Sequence, residues 1–199
     1  MLDEPFRRGM QRTAAAPARW MHRLGVTPNM VTVAACVVGL GAAVLVARGH
    51  AFAGIVVWSV SRLLDGYDGI LARLSGRTTL FGGFLDITLD MLAYSSMAVA
   101  FAVAQPEFRV QWMVVLVGYV MAITTTLALS SLLERADRTL GGDRSLQFTP
   151  ALAEGGETTI VYVAVVLLPA WTTGILWVWI ALLALTALGR VRLARRLLG

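Results

Sequence analysis

The chain has 199 residues, 17 basic and 12 acidic, for a formal net charge of +5, with 57% hydrophobic and only 15% charged residues. Ordinary soluble domains carry roughly 25% charged residues, so this composition, with a mean hydropathy of +0.71, excludes a water-soluble globular protein. The pI near 10.3 does not point to nucleic acid: every basic residue is arginine and most flank apolar runs, a placement that suits anionic lipid headgroups.

The length fits one domain, 1–199, since domains hold about 100–200 residues. Within 1–25, Phe6, Met10, Ala14, Pro17, Met21 and Leu24 recur at helical spacing with Arg8, Arg12, Arg19 and Arg23 mostly on another side. This predicts a basic amphipathic helix on the headgroups, kinked or divided at Pro17. No cleavable signal is expected, because Asp3, Glu4 and several arginines precede an apolar stretch that starts late.

A bundle of six membrane helices is expected over 26–199, since crossing the hydrocarbon takes about 20 helical residues. The spans read Met30 to Ala47; Ala51 into the seventies; Phe81 to Ala104; Val110 to Leu133; Thr158 to Leu168, or from near Ala153; and Thr173 to Gly189. The fold class is therefore all-α. With both termini inside, fifteen of the seventeen arginines fall on the inner side and only Arg48 and Arg109 outside. That bias predicts a multi-pass protein of the bacterial inner membrane with cytoplasmic termini. The one substantial loop, Glu134 to Glu157, then faces the cytoplasm. Cys36, alone in an apolar run, reads as a small packing residue, and Trp58, Trp112, Trp171, Trp177 and Trp179 as belt or packing aromatics. His22 and His50 have no partner at metal spacing and receive no role.

Four acids break the apolar pattern. Asp65 and Asp68 are i, i+3 and share one helix face; Asp86 and Asp90 are i, i+4 and share another. An ionisable group in a membrane helix costs at least ~2.5 kcal/mol and by default marks function. A turn around Ser75 to Leu80 brings the two helices back antiparallel, so the carboxylates can converge. Converging carboxylates repel unless a cation lies between them, and an all-oxygen set with no nearby His or Cys favours Mg²⁺ or Mn²⁺. Two such ions are a recurrent device for in-line displacement at phosphorus. Gly66, Gly69, Gly82 and Gly83 beside the acids suggest close helix contact or close approach of a ligand, and Arg73 can meet a diphosphate through bidentate hydrogen bonds. The plainer reading is that the acids pair with Arg62, Arg73 and Arg77 to hold a hairpin together; it leaves unexplained why both faces carry acids in register.

These residues form one string: Asp65-x-x-Asp68-Gly69-x-x-Ala72-Arg73, eight residues, then Gly82-x-x-x-Asp86-x-x-x-Asp90. It resembles the full motif of the CDP-alcohol phosphatidyltransferase family, and the likeness extends along the chain, including Thr27-Pro28-Asn29 and Thr32 at the entry to the first span. The resemblance implies transfer of a phosphatidyl group from CDP-diacylglycerol to an alcohol acceptor with release of CMP, in a homodimer. Asp65, Asp68, Asp86 and Asp90 would ligate two Mg²⁺ or Mn²⁺ ions, and Asp90 would also be the general base. Gly69, Ala72 and Arg73 would hold the cytidine diphosphate, helped by Thr79 and the segment with Pro28, Asn29 and Val31. Arg62-Leu63-Leu64-Asp65-Gly66, Gly82 to Ile87 and Glu154 to Thr158 are similar to a bacterial subgroup whose acceptor is unassigned. Glycerol 3-phosphate, inositol phosphate and phosphatidylglycerol are the candidates.

Glu154 and Glu157 either contact the acceptor or orient Arg62, or they serve the N-terminus of the fifth span, where acids are favoured by the helix dipole. Arg135, Arg138 and Arg144 either bind an acceptor phosphate or follow the positive-inside bias. Two rival readings share the motif. An intramembrane prenyltransferase would space its aspartate motifs further apart than the 26 residues from Asp65 to Asp90. A non-catalytic scaffold or nucleotide-lipid binder would be expected to lose one of the four acids, and none is lost.

Overall fold

The structure, a computed structural model, describes residues 17, 19–21, 23–136 and 155–198. They form six long helices: α1 Pro28–Ala47, α2 Ala51–Leu74, α3 Leu80–Ala104, α4 Arg109–Arg135, α5 Gly155–Leu167 and α6 Thr172–Leu198, with 3-10 turns at Pro106–Phe108 and Pro169–Trp171. No strand occurs among the described residues. Of the amphipathic helix expected over 1–25, residues 17, 19–21 and 23 are helical and the remainder lies outside the described residues, apart from the turn at 24–25.

Local chemistry sets most boundaries. Thr27 caps α1, its Oγ1 accepting from Met30 N at 3.3 Å, and Pro28 opens the helix where its missing N–H costs nothing. Gly49, at φ +85°, turns the chain into α2 through a left-handed conformation that favours glycine. Gly76, at φ +62°, does the same between α2 and α3. Thr79 then caps α3, accepting from Gly82 N at 3.0 Å. The fifth helix begins at Gly155, earlier than Thr158, and the sixth runs to Leu198, well past Gly189, because its arginine-rich end continues the helical pattern beyond the apolar core.

By length and composition, α1, α3 and the stretches Pro106–Arg135 and Pro169–Leu198 are apolar enough to cross a membrane. Helix α5 is apolar but has 13 residues, and the 24-residue α2 carries the charged groups of the site. Large apolar side chains such as Val37, Val117, Trp171 and Val178 stand exposed on the outer surface. Lipid, rather than water, is the solvent that such a surface suits.

Helix α1 packs along both α2 and α3, α4 packs along α6, and α5 bridges α6 and α2. Gly54 lets α1 and α2 pack closely: a Cβ there would lie 2.5 Å from Val46 Cγ2 and 3.0 Å from the Ala42 carbonyl. The centre is aromatic. Trp58 meets Tyr94 and Tyr162 edge-on at centroid distances of 5.3 and 5.5 Å, and Phe101 stacks on Trp112 at 4.8 Å. Tyr162 donates to the Tyr94 carbonyl at 2.8 Å and lies 3.0 Å from the Tyr119 hydroxyl, tying α3, α4 and α5 together. Trp58, Trp112 and Trp179 are thus packing residues, and Trp171 and Trp177 are exposed. Cys36 is a buried free thiol. Arg190 does not join Arg192, Arg195 and Arg196 on the surface; it is buried and donates to the Ala122 carbonyl at 2.6 Å.

Candidate active site

Three helices supply the site. On α2, Arg62, Asp65 and Asp68 follow one another at three-residue spacing, with Gly69 and Arg73 beyond them. On α3, Asp86 and Asp90 face back across the Gly76 turn. On α1, Thr32 reaches the acids from the side: its hydroxyl is 2.6 Å from Asp68 Oδ2 and 3.1 Å from the Pro28 carbonyl.

The carboxylate oxygens of Asp65, Asp68 and Asp86 all lie within 4.8 Å of one another. Three hard oxygen donors this close fit a divalent cation such as Mg²⁺ or Mn²⁺ and would repel one another without one. Asp90 stands beside this triad in a different setting. Its Oδ1 accepts from Arg62 Nη1 at 2.5 Å, and the same nitrogen lies 3.6 Å from Asp65 Oδ2. The hairpin-pairing idea therefore accounts for Arg62 with Asp90 and Asp65, and it leaves the approach of three carboxylates to one another unexplained.

Arg62 is itself enclosed by aromatic and polar groups. Its guanidinium lies over the rings of Trp58 and Tyr94, 4.6 and 4.9 Å from their centroids, a geometry in which each ring attracts the cation. Its Nη2 donates to Ser61 Oγ at 3.0 Å, and Ser61 donates to the Ala35 carbonyl at 2.8 Å. Gly39 makes room for this link, since a Cβ there would lie 3.0 Å from Ser61 Oγ.

Polar groups also approach two glycines of the motif. Arg73 folds back over Gly69, with Nη1 3.4 Å from where a Cβ would stand, and Asn29 Oδ1 lies 3.3 Å from the corresponding point at Gly82, beside Thr79 Oγ1 at 3.1 Å. Two glycines of the motif thus leave room for polar groups from α1, α2 and the α3 cap. Ala72 is half-buried on α2, Val31 is buried in α1, and the Pro28 carbonyl accepts the Thr32 hydroxyl. Glu157 is exposed in the first turn of α5, and Arg135 is exposed at the end of α4. Glu154, Arg138 and Arg144 lie outside the described residues.

Sequence reasoning placed Thr32 only as part of an entry motif and did not single out Ser61 or Tyr94. The signals were present but short-range: Trp58 is i−4 from Arg62 and Tyr94 is i+4 from Asp90, so each shares a helix face with the charge it flanks. The Thr32 contact predicts a measurable effect. Thr32→Val, nearly isosteric, should weaken Mn²⁺ binding by about 10- to 100-fold, the usual cost of losing a group that holds a metal-binding carboxylate. Titration of the purified protein with Mn²⁺, followed by electron paramagnetic resonance of the free ion, measures it.

Residues 25–189 match the family model described as CDP-alcohol phosphatidyltransferase. The inner membrane protein YnjF of Escherichia coli K12 is 32% identical over 196 residues, covering 96% of this chain and 94% of that protein. A phosphatidylinositol phosphate synthase of Streptomyces avermitilis is 37% identical over 103 residues, covering 51% of this chain and 42% of that protein. Among solved structures, the Mycobacterium tuberculosis phosphatidylinositol phosphate synthase with CDP-DAG bound superposes with a TM-score of 0.69 at 22% identity, covering 92% of this chain and 94% of that one. The same enzyme in complex with manganese and citrate superposes with a TM-score of 0.68, covering 91% and 88%.

Proposed function

The chain belongs to the CDP-alcohol phosphatidyltransferase family, and from that premise we propose that it transfers the phosphatidyl group of CDP-diacylglycerol to an alcohol hydroxyl at the inner face of a bacterial cytoplasmic membrane. The observation that carries this reading is the convergence of Asp65, Asp68 and Asp86 with Asp90 standing beside them. The manganese and the CDP-DAG in the two tuberculosis enzyme complexes support the same assignment of ligand classes. The placement of the arginines supports a cytoplasmic site and termini.

In this reading Asp65, Asp68 and Asp86, joined by Asp90, hold two Mg²⁺ or Mn²⁺ ions, which supply charge stabilisation for the diphosphate and the departing CMP. Arg73, over Gly69 and next to Ala72, pairs with diphosphate oxygens as a planar donor. Asn29 and Thr79, with the backbone at Pro28 and Val31, flank the nucleotide. The acceptor oxygen attacks the β-phosphorus, and the phosphorus–oxygen bond to CMP breaks as the new phosphodiester forms. Asp90 takes the acceptor's proton as general base. The acyl chains stay in lipid against the apolar faces of the bundle. A homodimer, and glycerol 3-phosphate, inositol phosphate or phosphatidylglycerol as acceptor, complete the proposal; Glu154, Glu157, Arg135, Arg138 and Arg144 are the residues available to select among them.

The test is CMP release from CDP-diacylglycerol by the detergent-purified protein with Mg²⁺, run with each acceptor separately and with none, and with Asp86→Asn as the blank. Release stimulated by one acceptor and absent in the blank is the expected result and identifies the acceptor. Release in no arm would overturn the transferase reading for these acceptors.

A further inference from the structure

The stretch Glu154 to Thr158 contains two adjacent glycines with different surroundings. A Cβ at Gly156 would meet nothing within 4 Å, whereas a Cβ at Gly155 would lie 2.5 Å from the Tyr94 hydroxyl oxygen and 3.4 Å from Cζ of the same ring. Gly155 is the first residue of α5, and its backbone is not left-handed, so conformation does not call for glycine; alanine ordinarily favours a helix over it. What Gly155 supplies is space. Tyr94 does not yield that space freely: it is buried, its ring meets Trp58 edge-on at 5.3 Å, and its centroid lies 4.9 Å from the Arg62 guanidinium. The α5 side of the contact is anchored too, since the Trp58 indole donates to Thr159 Oγ1 at 3.3 Å and Thr159 donates to the Gly155 carbonyl at 3.1 Å. Both rings that face Arg62 are thus tied to Gly155, and Arg62 is tied to Asp90 Oδ1.

We propose that Gly155 is a positioning residue: by leaving room for the Tyr94 hydroxyl, it lets the first turn of α5 close on Trp58 and Tyr94. These rings set the guanidinium of Arg62, which in turn sets the plane of the Asp90 carboxylate through Oδ1 and leaves Oδ2 for a cation. A methyl group added at residue 155 displaces either Tyr94 or α5, and both movements reach Asp90 through Arg62. The link rests on the transferase reading for the role of Asp90, and only for that. Because the obstruction is one hydroxyl group, removing that hydroxyl should make alanine tolerable at residue 155, an outcome that a general loss of helix packing does not produce.

The experiment uses the full chain in detergent, with CMP release measured over a range of CDP-diacylglycerol and, in parallel, Mn²⁺ alone titrated and its free ion read by electron paramagnetic resonance. Gly155→Ala is expected to lower kcat by about tenfold or more, as for loss of a group that orients a metal-binding carboxylate, and Mn²⁺ affinity by about threefold or more. Gly69 and Arg73 lie seven and eleven residues beyond Arg62 on α2, about 10 and 16 Å along the helix. The KM for CDP-diacylglycerol should therefore stay within about twofold of wild type, the split that marks a loss in the chemical step. Gly156→Ala, the control for the glycine-to-alanine change itself, should leave both readouts at wild-type values. In a Tyr94→Phe background, which keeps the ring over Arg62, Gly155→Ala should cost no more than about twofold in kcat or in Mn²⁺ affinity, so the two positions are strongly coupled. Thr159→Val, which cuts the link from Trp58 to the Gly155 carbonyl without adding bulk, should lower kcat in the same sense and serves as the second probe if Gly155→Ala does not fold. Unchanged kcat or Mn²⁺ affinity in Gly155→Ala, an equal loss with and without the Tyr94 hydroxyl, or a loss confined to KM would each overturn the proposal. Should the wild-type protein release no CMP, the transferase reading fails, while the Mn²⁺ arm still decides whether Gly155 acts on the cation site through Tyr94.

Discussion

Asp90→Asn is expected to lower CMP release by about 10²- to 10⁴-fold, the range over which a positioned general base contributes, with a smaller loss of Mn²⁺ affinity, since the three acids of the triad remain to hold the metal. The substitution conserves shape and leaves Asp65, Asp68 and Asp86 intact, and these are the three acids whose oxygens lie within 4.8 Å of one another. Arg62 loses the negative charge opposite it at residue 90 but keeps an oxygen acceptor there and Asp65 3.6 Å away, so the guanidinium stays against its aromatic rings. Single-turnover CMP release and a parallel Mn²⁺ titration check both halves. Equal loss of metal and turnover would instead make Asp90 chiefly a metal ligand.

Asp86→Asn should behave differently: Mn²⁺ binding and CMP release fall together, the latter by on the order of 10²–10³. Asp86 is the one member of the triad supplied by α3, and removing its charge leaves two carboxylates from a single helix face. Chelation of the wild-type protein with EDTA should reproduce the loss, and added Mg²⁺ should restore the wild-type enzyme but not the variant. Activity that survives EDTA would exclude a divalent cation from the reaction.

The contrast between these two substitutions shows where sequence reading stops. The motif spacing puts Asp65 with Asp68, and Asp86 with Asp90, on shared helix faces, and the glycine-containing turn between them returns the chain antiparallel. From that alone the acids converge. Spacing within a helix says nothing about which neighbour each carboxylate chooses, because Arg62 is as close in sequence to Asp65 as Asp68 is. Its choice of Asp90, 28 residues away, follows from the Trp58 and Tyr94 rings that fix its guanidinium. Arg190 makes the same point: an arginine in a basic run reads as a headgroup contact, yet it is buried on the Ala122 carbonyl.

The helical class, the approximate limits of the first four helices, the turn around Ser75 to Leu80 and the identity of the acidic motif were determined by the sequence alone, because apolar run length, turn residues and spacing on a helix face are local properties of the chain. Only the tertiary structure separated the acids into a close triad that fits a divalent cation and a fourth held by Arg62, and brought Thr32 of α1 onto Asp68 and Asn29 beside Gly82. Those partnerships depend on how α1, α2, α3 and α5 pack side by side. A buried charge takes whichever compensating group that packing brings within hydrogen-bond reach, and distance along the chain does not enter the choice.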